Sequence, residues 1–332
     1  MNGVRCAPFI RQGKGANSLM MDMMLCVSAL LVCAAVLYGV RVMVLWLAGT
    51  LTAVACEAMV NCLTRSPYTV GDWSAAVTGS LIALLCPACA PYFLPMLGSA
   101  FAVLIMKMPC GGLGCYPVNP TAAAWCLMAA CWPAAMFTYP SAFPRRALSL
   151  AAAPSFREGI SSARLLQQGA LAGRGPVDIL LGKLGGPMGS TMVVVIAACA
   201  CYLIYRRTAS YRIMSGFLLS AAVLAALFPR SGLDAANSVF FELCSGSMLF
   251  CAVFVATEPV SSPFCHASQW IYGMLCGAIT MLLRHITSLE QAAPCAIVLC
   301  CLISPLLDLL FLHARRFKKH GRFLPSDALR LE

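Results

Sequence analysis

Ten apolar runs follow one another along this chain, near residues 21–40, 43–63, 74–88, 91–107, 122–138, 191–205, 212–228, 238–256, 270–283 and 292–312. A hydrocarbon layer roughly 30 Å thick is crossed by about 20 apolar residues in a helix, so runs of this kind read as membrane spans. Composition agrees: 61% of the 332 residues are hydrophobic, only 11% are charged, and the mean hydropathy is +0.83. A soluble domain carries about 25% charged residues, and a water-facing surface cannot be built from so few. The expectation is an all-α polytopic membrane protein of about ten transmembrane helices, with no soluble domain large enough to act alone. The third and fourth runs are also compatible with a hairpin that does not fully cross. Met1 to Ser18 is polar, with Arg5, Arg11 and Lys14, and lacks a cleavable signal pattern.

Basic residues set the orientation. With ten spans both termini share a side, and that side collects Arg5, Arg11, Lys14, Arg65, Lys107, Arg206, Arg207 and Arg212. The tail adds Arg315, Arg316, Lys318, Lys319, Arg322 and Arg330, whereas the short loops opposite hold only Arg41, Arg230 and Arg284. The excess of Lys and Arg places both ends in the cytoplasm. The long loop from about Tyr139 to Ser190 is basic as well (Arg145, Arg146, Arg157, Arg164, Arg174, Lys183), but loops of this length translocate regardless of charge. The balance of +11 then reads as anchoring to anionic lipid, not as nucleic-acid binding. The expected order is a cytoplasmic segment 1–18, a five-helix membrane unit 19–138, a periplasmic loop 139–190, a second five-helix unit 191–312 and a basic cytoplasmic tail 313–332.

Twenty cysteines raise the question of a metal or redox site. Most, such as Cys26, Cys33, Cys56, Cys126, Cys131, Cys199, Cys251, Cys276, Cys300 and Cys301, sit inside apolar runs, where a thiol behaves as a small hydrophobe. Cys86 and Cys89 form a Cys-x-x-Cys pair compatible with a redox dithiol, and Cys110 and Cys115 flank a glycine loop. One such pair is too few for a four-thiolate cluster, so no metal site is expected from this chain alone.

The two five-span units echo each other. Val40-Arg41-Val42-Met43 opens the second run and Tyr211-Arg212-Ile213-Met214 the seventh; Thr78-Gly79-Ser80 and Ser245-Gly246-Ser247 start the third and eighth. An odd number of spans per unit makes the units face opposite ways. Inverted repeats of this kind carry their sites at the interface of the halves.

Three stretches carry chemistry. In KLGGPMGSTM, Lys183 to Met192, glycines and a proline keep the chain irregular up to Thr191, whose hydroxyl stands where the sixth run begins. The plain alternative is that Thr191 is a helix N-cap. The helix from Met192 to Tyr205 rises only about 21 Å, so the irregular segment must enter the membrane, where such backbone is tolerated only against protein or a cavity. In MPCGGLGCYPVNPTAAA, Met108 to Ala124, Gly111, Gly112 and Gly114 permit tight turns or close approach to a ligand, and Asn119-Pro120 ends the loop. In SGSMLFCAVFVATEPVSSP, Ser245 to Pro263, small residues allow close helix packing before Thr257-Glu258-Pro259 breaks the chain. Ionisable residues at or within runs are Asp22, Glu57, Glu242, Glu258 and Asp308. Intramembrane carboxylates are functional candidates by default, and Glu57, Asp22 and Asp308 are the ion-coupling candidates.

Taken in order, these stretches resemble the RnfD/NqrB family of flavin-bearing membrane subunits, and the length is closer to RnfD. APFIRQGKGANSLMMDMML is similar to the family's Pro-His-x-Arg opening followed by an aspartate, and TVGDWSAAVTGSLIALLCP to its Gly-Asp-x-Ser-Ala-x-Val-Thr-Gly segment. GGLGCYPVNPTAAA resembles its glycine loop, and FCAVFVATEPVSSP its Ala-Thr-Asp-Pro-Val segment. The resemblance implies FMN joined through its phosphate to a threonine at the outer end of a span, and Thr191, preceded by Gly189 and Ser190, occupies that place. It further implies a second, non-covalent flavin such as riboflavin, for which Gly111, Gly112, Gly114 and Asn119 are the candidate contacts. The implied partners are the other subunits of an Rnf-type complex: a periplasm-exposed flavin subunit, two small membrane subunits, and peripheral subunits facing NADH and ferredoxin. The implied activity is electron transfer between ferredoxin and NAD coupled to movement of Na⁺ or H⁺ in the bacterial inner membrane. Departures are Phe9 for the family's His, Glu258 for Asp, Cys115-Tyr116 for Gln-Asn, and Met188 and Ser190 in the attachment pattern. Three other readings stay open here: a small-solute channel or permease, an NqrB-type subunit of an NADH:quinone reductase, and a scaffold without cofactor.

Overall fold

The computed structural model describes residues 16–64, 70–114, 116–140, 158–159, 161, 179–182, 185–229, 235–287, 289 and 291–320. Outside them lie the Pro8-Phe9-Ile10-Arg11 opening with Arg5 and Lys14, Arg65, Cys115, Lys183, Arg230, most of the loop 139–190 with its other basic residues, and Arg322 and Arg330 in the tail.

Every one of the ten apolar runs is helical, but their lengths differ. Helix α1 spans Ala16–Tyr38 and α2 Arg41–Thr64; the left-handed Gly39, with φ of 89°, makes the turn between them. Short helices follow: α3 Ser74–Leu85, α4 Phe93–Phe101 continuing as a π-helical Ala102–Lys107, α5 Pro120–Cys131 and the single turn α6 Pro133–Met136. Tyr139–Pro140 (β1) pairs antiparallel with Glu158–Gly159 (β2). Then come α7 Val193–Tyr205, α8 Tyr211–Leu227, α9 Ala235–Cys244, α10 Met248–Phe250 continuing as a π-helical Cys251–Val255, α11 His266–Ile286 and α12 Ala293–His320.

Among the described residues, three stretches are long and apolar enough to cross a bilayer unaided: Asn17–Tyr38, Arg41–Thr64 and Ala293–Phe311. A fourth candidate is the pair Ala236–Cys244 and Met248–Val255, bent by 69°. The molecule is a helical membrane protein in which several helices are too short to span.

Helix α3 illustrates why short helices persist. All twelve of its residues are buried, as expected of a helix that is apolar all round. Its rise of about 18 Å leaves its end inside the protein, where orphan carbonyls must find donors. They do so from far along the chain. The amides of Met188 and Gly189 donate to the carbonyls of Cys86 and Leu84, at 3.0 and 2.8 Å. Arg41, fully buried, donates to the carbonyls of Ala88 and Ala90 at 3.2 and 2.9 Å, and its guanidinium stacks on Tyr92. The break between α9 and α10 is held similarly: Arg284 donates to the carbonyls of Glu242 and Ser245 and to the Glu242 carboxylate.

Glycine lets the helices approach. A methyl group at Gly79 would lie 2.8 Å from the carbonyl oxygen of Gly49, so α2 and α3 touch backbone to backbone. Gly273 and Gly277 bring α11 against Ile213 and Phe217 of α8 in the same way. The echoed arginines differ in partners, since Arg212 donates to Gln269 where Arg41 holds carbonyls.

Candidate functional site

The segment Gly185 to Thr191 runs along the C-terminal end of α3 and delivers the chain into α7. The hydrogen bonds from the Gly189 and Met188 amides to the carbonyls of Leu84 and Cys86 fix it there. A methyl group at Gly189 would lie 2.7 Å from the Leu84 Cβ and 3.0 Å from the Phe250 ring, so only glycine permits this docking. Ser190 turns back on Pro187, its amide at 3.1 Å and its hydroxyl at 3.3 Å from the same carbonyl.

Thr191 is different. It is buried, yet its Oγ1 has no hydrogen-bond partner. Helix α7 begins at Val193 with Met192 in the cap position and no side-chain cap bond, so Thr191 is not an N-cap. Around it lies a cleft of about 260 Å³ lined by Ile179, Gly182, Gly185, Gly186, Ser190, Thr191, Cys244 and Gly246. Gly182, left-handed at φ 72°, approaches so closely that a methyl there would lie 2.8 Å from the Thr191 carbonyl oxygen. One at Gly186 would lie 3.2 Å from the Thr191 methyl. The hydroxyl of Tyr38, at the end of α1, is likewise buried without a hydrogen-bond partner. An orphaned hydroxyl in a glycine cradle beside a cleft fits attachment of a phosphate-bearing group.

The second glycine stretch lies at the other end of α3 and does not meet Thr191. Gly111, Gly112 and Gly114 all have positive φ, 104°, 85° and 102°. A methyl at Gly112 or Gly114 would meet nothing within 4 Å. These glycines serve the turn, not a close approach within this chain. Asn119 points inward. Its Oδ1 accepts the Ala122 amide at 3.0 Å, capping α5, while its Nδ2 donates to the Val255 carbonyl at 2.8 Å and to Glu258 at 2.5 Å.

A second cavity lies near the start of α3. Met20 and Met23 of α1, Ser74 and Thr78 of α3, Thr208, Phe254 and Glu258 are in its wall. Its most unusual member, Glu258, accepts from the hydroxyl of Tyr116 as well as from Asn119. Burial pushes its carboxyl up to about 7, although the Tyr116 bond and the nearby Lys107 charge pull the other way. In the sequence Glu258 stands only among the ionisable residues at a chain break, outside the coupling candidates; the structure sets it shortly after the π-helical Cys251–Val255, a geometry common at functional sites.

The ion-coupling candidates all have partners. Lys107 donates to both oxygens of Glu57. Asp22 accepts from Arg206, Tyr202 and Thr208. Asp308 accepts the amides of Phe264 and Cys265 at 2.8 and 3.1 Å, where α11 begins. Among the cysteines, Cys86 and Cys89 donate to separate carbonyls, of Ile82 and Thr138. Cys126 and Cys295 bring their sulfurs to 3.5 Å between α5 and α12. No group of three metal-ligating side chains occurs among the described residues.

Comparison with known proteins adds a family. The model of the NQR2, RnfD, RnfE family matches residues 3–318. The D subunit of the Na⁺-translocating ferredoxin:NAD⁺ oxidoreductase complex of Acetobacterium woodii is 30% identical, over 92% of each chain. The D subunit of the proton-translocating ferredoxin:NAD⁺ oxidoreductase complex of Clostridium ljungdahlii is 26% identical, over 92% of this chain and 93% of that one. The D subunit of the ion-translocating oxidoreductase complex of Stutzerimonas stutzeri is 30% identical, over 82% and 84%.

Proposed function

This chain belongs to the NQR2, RnfD, RnfE family, and on that premise we propose that it is the flavin-bearing membrane subunit of an Rnf-type complex, with FMN attached to Thr191. Its relatives are the D subunits of ion-translocating oxidoreductases, and this chain is such a subunit, with no complete active site of its own. The observation that carries the attachment is the buried, unpartnered Thr191 hydroxyl in its glycine cradle. Bound there, FMN supplies one-electron chemistry.

The residues of this chain do the rest. Gly189 presses the segment onto α3, and Gly182 and Gly186 lie close against Thr191; the cleft around Thr191 keeps the attachment point out of bulk water. A covalent tether retains the carrier in every redox state. Moving one charge against 100 mV costs about 2.3 kcal/mol, which a drop of roughly 100 mV per electron supplies at about 1.4 kcal/mol per 59 mV. In the proposed arrangement ten spans form two inverted five-helix units in the bacterial inner membrane, with both ends cytoplasmic and Thr191 at the outer side. The buried short helices α3 and α10, near the echoed Gly79-Ser80 and Gly246-Ser247, support that symmetry. The transported ion is Na⁺ or H⁺, and Glu57, Asp22, Asp308 and the cavity acid Glu258 are the coupling candidates. Gly111, Gly112, Gly114 and Asn119 remain the proposed contacts of a second flavin, the glycines from the turn surface. The proposed partners are a periplasm-exposed flavin subunit, two small membrane subunits, and peripheral NADH- and ferredoxin-facing subunits.

The names of the relatives favour this reading over a solute permease. Thr191→Ala is expected to abolish in-gel flavin fluorescence of this subunit under denaturing conditions. Fluorescence retained in that variant refutes the attachment.

A further inference from the structure

We propose that Cys126 and Cys295 are a redox-responsive pair that closes into a disulfide between α5 and α12. Their sulfurs stand 3.5 Å apart, the Cys126 thiol donating to Cys295, although the residues are 169 positions apart in the chain. The helices that carry them pack against each other. In the proposed arrangement α5 closes the first five-helix unit and α12 the second, so one bond joins the two units. The inference is independent of the attachment at Thr191.

A disulfide bond is about 2.05 Å long, so closure draws the sulfurs together by roughly 1.5 Å, a shift on the scale of side-chain rotation. Both thiols are only partly buried, unlike Cys251, Cys300 and Cys301, and exposure is what lets a reagent reach a thiol. The Cys-x-x-Cys pair is built differently: Cys86 and Cys89 are both buried and donate to separate carbonyls. Cys295 stands in the first turn of α12, shortly after Gln291, whose amide reaches the Tyr139 hydroxyl at the head of the long loop. In the proposed orientation this end of α12 is the outer one, the side of the membrane on which disulfides persist.

The oxidant is a small disulfide, and the step is thiol–disulfide exchange. One cysteine, as its thiolate, attacks a sulfur of the small disulfide. That S–S bond breaks, one thiol leaves with the displaced proton, and a mixed disulfide remains. The second cysteine then attacks the protein sulfur of the mixed disulfide, forming the Sγ–Sγ bond and expelling a second thiol. The pair has given up two protons and two electrons, and the small disulfide has become two thiols. Excess thiol reverses both exchanges.

The test uses the complex purified with reductant, freed of it, and exposed to the small apolar disulfide dithiodipyridine. Cys126→Ala and Cys295→Ala are treated beside the wild type, with Cys131→Ala as a control, since Cys131 is exposed at the end of the same α5. Remaining thiols are alkylated in acidic denaturant, and the digested chain is mapped by mass spectrometry with and without reductant. In the wild type and in Cys131→Ala we expect a peptide pair joined through Cys126 and Cys295. It is lighter by two hydrogens than the free peptides together, and reductant splits it. In Cys126→Ala and Cys295→Ala that linked species is expected to fall to background, the surviving cysteine stopping at the mixed disulfide. Wild-type Cys126 and Cys295 that stay free, or that carry two separate adducts, overturn the pairing. A wild-type link from either of them to a different cysteine overturns it as well.

Discussion

The ammonium of Lys107 lies 3.3 Å from each carboxylate oxygen of Glu57 and 2.6 Å from the Ser74 hydroxyl, with Lys107 and Glu57 both almost wholly buried. The π-helical end of α4 thus meets α2 at the first turn of α3. Two opposite charges at this depth neutralise each other, and Ser74 also lines the cavity that holds Glu258.

Breaking that pair leaves an uncompensated buried charge, which costs about 3–5 kcal/mol. Lys107→Met and Glu57→Met are each expected to lower the thermal midpoint of the detergent-solubilised complex markedly. The double variant Lys107→Met/Glu57→Met is expected to recover most of the loss, because paired buried charges are often replaceable by apolar residues. Simple additivity of the two single effects would show that the residues do not act as a pair.

Glu258 gives a pH signature. Its folded carboxyl is raised to about 7 from an ordinary value near 4.5, chiefly by burial. Between those values the folded protein holds a proton that the unfolded chain releases, so stability is full below the lower value and falls as pH rises through the upper one. The thermal midpoint is expected to decline between about pH 5 and 7, and Glu258→Gln to flatten that decline. An identical slope in the variant contradicts the assignment.

Gly189→Ala tests the docking of the attachment segment. The added methyl would meet Leu84 and Phe250 at 2.7 and 3.0 Å, an overpacking that costs roughly 1–3 kcal/mol. It also loosens the hydrogen bond from the residue 189 amide to the Leu84 carbonyl. We expect a lower thermal midpoint together with reduced covalent flavin, measured by intact mass. A fully loaded variant of wild-type stability argues against this close contact.

Some of this site was legible in the sequence. The shortness of the run after Thr191 marked the irregular segment, and Asn119-Pro120 marked the end of the glycine loop, where the structure starts α5 with Asn119 as its cap. Gly111, Gly112 and Gly114 permitted the tight turn that their positive φ values show. Pairings across long separations were not legible. Lys107 reads locally as a cytoplasmic charge, but folding brings it to Glu57, fifty residues away. Arg41 and Arg284 read as loop charges, yet both are buried and satisfy carbonyls at helix breaks. Hydropathy reports how much apolar chain is present, not which helix ends stop inside the protein and need donors. Tyr116, a departure from the family pattern, proved to be the donor to Glu258.

The attachment at Thr191 is tested most directly by the intact mass of the purified protein, for the wild type and for Ser190→Ala and Thr191→Ala. Wild type and Ser190→Ala are expected to exceed their polypeptide mass by one FMN less water, and Thr191→Ala to match its polypeptide mass alone. An unmodified wild-type chain, or an adduct that survives Thr191→Ala, would contradict it.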